Sequence, residues 1–133
     1  MNTKLILISS AVILGTTGIL FTFIPDELLS HLSIEANKTT LFVMQILGAL
    51  YFAFAMLNWM TKTSSIGGIY NRPIAIANFT HFLIAGLALI KGIISNPSIS
   101  YTIWTAGIFY CVFGISFGTI LFSDPINETK SNE

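Results

Sequence analysis

Four stretches of the chain carry apolar residues with almost no break. They are Leu5 to Ile24, Thr39 to Met60, Ile74 to Ile94 and Thr102 to Phe122. Each runs to the roughly 20 residues that a helix needs to cross a hydrocarbon layer. None holds Asp, Glu or Arg, and Lys91 near the end of the third is their only charge. The runs are continuous rather than alternating, which predicts helices and not the dyad pattern of a membrane barrel. Pro25 closes the first run, Pro97 follows the third and Asp124-Pro125 follows the fourth. Pro73 suits a first helical turn, where its missing N–H costs nothing. The pattern predicts an all-α membrane protein: an up-down-up-down bundle of four transmembrane helices in a single domain spanning residues 1–133, ending in a polar tail over 123–133.

Polar positions between the runs set the direction. Lys4, Lys62, Arg72 and Lys130 fall on one side, Lys38 and Lys91 on the other with Asp26, Glu27 and Glu35. Basic residues concentrate in cytoplasmic loops, so both termini are expected in the cytoplasm of a cell whose inner membrane holds the chain. Trp59 and Tyr70 would mark the cytoplasmic interface, Tyr101 and Trp104 the outer one. Lys91 is expected to snorkel to the outer headgroups. A signal peptide is the alternative for the first run. That run is long for an ordinary h-region, and no small-residue cleavage site follows it.

The segment from Pro25 to Lys38 alternates acids with Leu28, Leu29, Leu32 and Ile34. It predicts a short amphipathic helix lying on the outer surface. If it were helical throughout, Glu27, His31 and Glu35 would share one face. That face reads as a solvated one with Glu–His pairs, or as a weak site for a divalent metal.

Composition agrees with the pattern: 53% of the 133 residues are hydrophobic and 9% are charged. So few charges leave a water-facing surface uncovered. The formal charge is zero, so nothing draws the chain to nucleic acid. Cys111 is the single cysteine, which excludes an intrachain disulfide and a cysteine-built zinc cluster. No cofactor motif appears. Gly67 and Gly68 are not followed by the GK[ST] of a phosphate loop. Matches to N-x-[ST] at Asn37, Asn78 and Asn127 carry little weight, since one lies inside a span and one on the cytoplasmic side.

Association in lipid rests on close approach of small residues rather than on burying leucine. The expected packing stripes are Ala11, Gly15, Gly18 and Thr22; Gln45, Gly48, Phe52 and Ala55; Asn78, His81, Ala85, Ala88 and Gly92; and Gly107, Cys111, Gly114 and Gly118. Gly114 and Gly118 form a GxxxG that serves packing within the chain or, alternatively, a homodimer or a membrane protein partner. The remaining partners expected are membrane lipids.

Candidate chemistry sits at the polar positions inside the spans. Asn78 and His81 lie four and seven residues in from Ile74. Counting to equal depth at 1.5 Å per residue reaches Ser9 and Ser10, Asn58, and Ser116 with Thr119. Asn78, His81, Asn58, Ser9 and Ser116 thus form a candidate ligand-binding layer in the cytoplasmic half. One reading is a cavity for a lipid, a quinone headgroup or a proton-coupled solute. The other is a set of hydrogen bonds that fixes helix register. Catalytic and metal-binding sets are not found: there is no HExxH, CxxC, GxSxG or pair of carboxylates.

The size, the four spans and the glycine-rich first and fourth helices resemble the small four-helix inner-membrane proteins of bacteria of the DoxX-like kind. That resemblance implies the fold and no activity. Membrane trimers that conjugate glutathione share the size, but the Arg- and Glu-bearing second helix expected of them is missing here. The expectation is a small multi-pass membrane protein, non-enzymatic, acting as an accessory or structural component. The alternative is a small-molecule binder or transporter component built around Asn78 and His81.

Overall fold

The structure is a computed structural model that describes residues 2–64 and 71–122. Tyr70, Gly67, Gly68, Asn127, Lys130 and the polar tail lie outside the described residues. Among the described residues there are five helices and no strand. They are α1 (Thr3–Phe23), α2 (Pro25–His31), α3 (Lys38–Thr61), α4 (Arg72–Ser95) and α5 (Tyr101–Phe122). Four of them, all but α2, are long and apolar enough to cross a membrane. They match the four apolar runs to within two or three residues at each end. The chain divides into two compact units, one holding α1, α2 and α3, the other α4 and α5.

Asparagines begin α1 and α3. The Asn2 side chain accepts from the Leu5 N–H at 3.3 Å and Asn37 from the Thr40 N–H at 2.9 Å. Each satisfies one of the donors that a helix start leaves open. Helix α2 starts at Pro25 with Asp26 and Glu27 in its first turn. It ends at His31, where Ser33 takes a left-handed φ of 57°. That turn lets the Ser33 N–H reach the Ser30 carbonyl at 3.0 Å and the Ile34 N–H reach Leu29 at 2.9 Å. The segment is therefore not helical to Lys38. Glu35 falls beyond the helix end, and the shared face of Glu27, His31 and Glu35 does not form.

Helices α1 and α3 run antiparallel: Ser10 meets Asn58, Gly15 faces Ala55, and Gly18 meets Gly48. The crossing is backbone against backbone. A Cβ placed on Gly18 would stand 2.8 Å from both the Gly48 carbonyl oxygen and the Phe52 nitrogen. One on Gly48 would stand 2.8 Å from the Gly18 oxygen and 2.9 Å from the Thr22 nitrogen. No side chain fits there, so glycine at both positions is a steric requirement. Phe21 and Tyr51 pack at 5.6 Å beside this crossing.

Helices α4 and α5 form an antiparallel hairpin. Its turn is Asn96-Pro97-Ser98-Ile99, closed by the Ile99 N–H on the Asn96 carbonyl at 3.1 Å. Proline at the second turn position sets φ in advance. Here aromatic rings fill the interface. Phe82 stacks on Phe117 at 5.7 Å and on Phe113 at 5.0 Å, and meets Tyr110 edge-on at 5.2 Å.

The first and fourth stripes match the buried faces well. Ala11 and Gly18 are buried on α1, and Gly107, Gly114 and Gly118 on α5. The other two need correction. On α3, Gly48 and Ala55 are buried but Gln45 and Phe52 are exposed. On α4 the buried face is Ala75, Asn78, Phe82, Gly86 and Ile93, while Ala88 is exposed and Gly92 has open space around it. Small residues lie on several faces of these helices, and an apolar solvent gives no amphipathic signal to choose among them.

Candidate functional site

The first unit brings two polar side chains together. Asn58, buried near the end of α3, donates from Nδ2 to the Ser10 hydroxyl oxygen at 3.0 Å. Ser10, also fully buried, donates its hydroxyl hydrogen bond to the Leu7 carbonyl at 3.0 Å. Ser9 points elsewhere: its hydroxyl donates back to the Leu5 carbonyl at 2.8 Å, with the Ile6 carbonyl at 3.1 Å. Adjacent residues on a helix stand roughly 100° apart, so only one of the two serines can face α3.

The second unit holds the remaining candidates. Asn78 is fully buried, and its Nδ2 donates to the Ile74 carbonyl one turn back at 2.9 Å. His81 is half-buried with its ring 5.2 Å from Phe82 and 5.6 Å from Tyr110. Its Nε2 stands 3.5 Å from the Tyr110 hydroxyl, a long contact in which the imidazole tautomer decides which atom donates. Ser116 donates to the Val112 carbonyl at 2.8 Å, and Thr119 to the Ser116 carbonyl at 2.8 Å. Such back-bonding is the usual way that hydroxyls are satisfied inside a membrane helix.

Of the five candidates, Asn58 meets a side chain of the neighbouring helix, and so does His81. Ser9 and Ser116 bond to their own helices. Tyr110 is the residue that counting polar positions missed. It stands as an aromatic in an aromatic-rich helix, and only its hydroxyl distinguishes it from Phe109 and Phe113. Ser10 was in the depth band but not among the selected residues.

Beside the His81–Tyr110 contact, an open groove of about 250 Å³ runs between α4 and α5. Its walls include Phe82, Leu83, Leu87, Tyr110, Cys111 and Gly114. They are almost wholly apolar. No cluster of three or more His, Cys, Asp or Glu occurs among the described residues. No buried side-chain nitrogen or oxygen among them lacks a hydrogen-bond partner. Comparison with protein-family models, with curated proteins and with solved structures finds no match to this chain.

Proposed function

We propose that this chain is a non-enzymatic, multi-pass membrane protein that acts through the surfaces of its packed helices as an accessory component. One observation carries the reading: every buried side-chain nitrogen and oxygen among the described residues has a hydrogen-bond partner, as groups that fix helix packing do. In hydrocarbon an amide or hydroxyl without a partner is costly, and bonds of this kind fix which helix faces meet.

The four spans pass up, down, up and down with both termini in the cytoplasm of a bacterial cell, and α2 lies in the outer interface. The distribution of Lys and Arg supports this direction. On the same footing the chain shares the four-span layout of the DoxX-like proteins. Cysteines placed at Arg72 and at Lys130 in a Cys111→Ala background label together from the cytoplasmic side. Labelling from opposite sides overturns the topology.

A second reading, a small-molecule binder or transporter component, is favoured by the half-buried imidazole of His81 beside Tyr110, itself a wall of the groove. His81→Ala and His31→Ala separate the two. The packing reading expects His81→Ala to alter melting temperature only. Loss of a pH-dependent solute flux from reconstituted vesicles in His81→Ala, but not in His31→Ala, with melting unchanged, decides for the binder.

A further inference from the structure

The groove between α4 and α5 has a direction. At one end Phe79 lines it and meets Phe122 edge-on at 5.9 Å. Toward the other it is lined by Leu87 and Ile90 on α4, with Tyr110 and Cys111 on α5. From Phe79 to Ile90 is eleven residues, or about 16 Å at the helical rise. That is about half of the roughly 30 Å hydrocarbon layer, and it crosses the middle of the Ile74–Ile94 span. Gly86, Gly114 and Gly118 hollow it out. At about 250 Å³ it is smaller than the ~300–1,000 Å³ of sites that enclose drug-sized ligands, and it is open along its length. A slender apolar occupant fits it.

The open end is charged. Lys91 follows Leu87 by one helical turn, continuing the row that lines the groove, and is exposed. On α5 Trp104, also exposed, lies two turns before Cys111 and continues its row with Ile115. Between residues 71 and 122 there is no Asp or Glu, while Arg72 and Lys91 are both cationic. Lys91 therefore has no countercharge anywhere in its own helical hairpin. An amphipathic indole and a lysine at a span end are the side chains that sit among headgroups.

We propose that this groove is a binding site for an anionic glycerophospholipid, with one acyl chain laid from Ile90 toward Phe79 and the phosphate on the Lys91 ammonium. The glycines supply the room, the aromatic rings at Phe79 end the channel, and Lys91 selects the headgroup by charge.

Cys111, the chain's only cysteine, lines the groove and reports on its occupancy. The full chain is purified in dodecylmaltoside, and the rate of Cys111 alkylation by N-ethylmaleimide is followed. Mixed micelles contain either dioleoyl phosphatidylglycerol or dioleoyl phosphatidylcholine. The expected result is protection by both lipids, at about fivefold lower concentration for the anionic one. Lys91→Gln, a change at an exposed position, brings the two lipids to parity and leaves protection by phosphatidylcholine unchanged. Leu87→Trp, which narrows the groove from its exposed side, weakens protection by both. Equal protection by the two lipids in the wild type overturns the proposal. A headgroup preference that persists in Lys91→Gln does the same. Protection that rises with protein concentration in the absence of added lipid assigns the groove to a second copy of the chain and overturns it as well.

Discussion

The two helical units hold together by different means. In α1 and α3 the backbones touch, and any Cβ on Gly18 would meet the main chain of the opposing helix at 2.8 Å. In α4 and α5 no glycine meets the opposing backbone closer than 3.9 Å: a Cβ on Gly118 or Gly107 would press only on side-chain tips, Phe79 Cε2 at 3.1 Å and Ile93 Cδ1 at 3.2 Å. A Cβ on Gly86 would meet the Tyr110 Cβ at 3.5 Å, and one on Gly114 would meet nothing closer than 3.9 Å. The rings of Phe82, Tyr110, Phe113 and Phe117 supply the contact there. Glycine thus has opposite roles in the two pairs. In the first it permits an approach that no other residue allows. In the second it leaves, at Gly86 and Gly114, a channel that could be filled. The same residue type marks a seam in one place and a groove in the other.

The sharpest way to break the contrast is Gly18→Ala. The methyl has no rotamer by which to escape, and the helices must part. The cost is expected at about 3 kcal/mol or more, at or above the upper range for overpacked sites. A cross-link checks it. A Cβ on Gly15 lies 3.4 Å from the Ala55 Cβ, close to disulfide spacing. Gly15→Cys with Ala55→Cys, in a Cys111→Ala background, is expected to oxidise readily. Adding Gly18→Ala removes most of that yield and lowers the melting temperature in detergent.

The second pair has its counterpart in Phe82→Ala. Phe82 is 1% exposed and touches three other aromatic rings from α5. Removing it opens a cavity, but the transfer term that dominates in water is largely absent in lipid. A loss of about 2–3 kcal/mol is expected, below the 3–5 typical of water-soluble cores. Thermal unfolding of the full chain in detergent measures it. A cost equal to that of a soluble core would show that this interface excludes lipid more completely than its open groove suggests.

The sequence made the four spans legible, because backbone groups in hydrocarbon demand long uninterrupted helices and little else produces such runs. It also revealed Gly18, Gly48, Gly114 and Gly118 as contact positions, since small residues are what close approach requires. Faces were harder to read. Gln45 sits on the same helix as Gly48 but is exposed, and Ala88 and Gly92 lie off the buried face of α4. A lipid-facing surface is as apolar as a buried one, so periodicity carries no contrast. Depth counting reached Ser9 and Ser10 together without telling them apart, and Tyr110 was hidden among phenylalanines. Rotation about the helix axis is fixed by partners that a single helix does not encode.

A smaller effect is expected at the polar contact of the first pair. Asn58 has further interactions, so Asn58→Ala alone overstates the bond to Ser10. A double-mutant cycle with Ser10→Ala isolates the pair. Coupling near 0.6 kcal/mol is expected, the average for hydrogen bonds between membrane helices. A coupling above about 2 kcal/mol would exceed the largest such values and make this contact, rather than the glycine crossing, the main determinant of how α1 meets α3.

Gly114→Ala is the mildest change, and its sign is the informative part. Two terms compete. Alanine is the better helix former by about 1 kcal/mol in water, less where lipid already favours the helix. Against it stands any contact the new methyl must relieve, and at 3.9 Å there is none to relieve. The methyl instead gains dispersion contact with Phe82 and Leu83, each contact being small. The net is expected to be a gain of a few tenths of a kcal/mol, read as a slightly raised melting temperature. Gly18→Ala and Gly114→Ala are chemically identical substitutions in two helices of similar composition. Opposite signs would show that the distance to the opposing backbone, and not glycine itself, decides what each position does. A loss at Gly114 comparable to that at Gly18 would mean that α4 and α5 close more tightly in lipid than the 3.9 Å spacing allows, and the groove would have no room for an occupant.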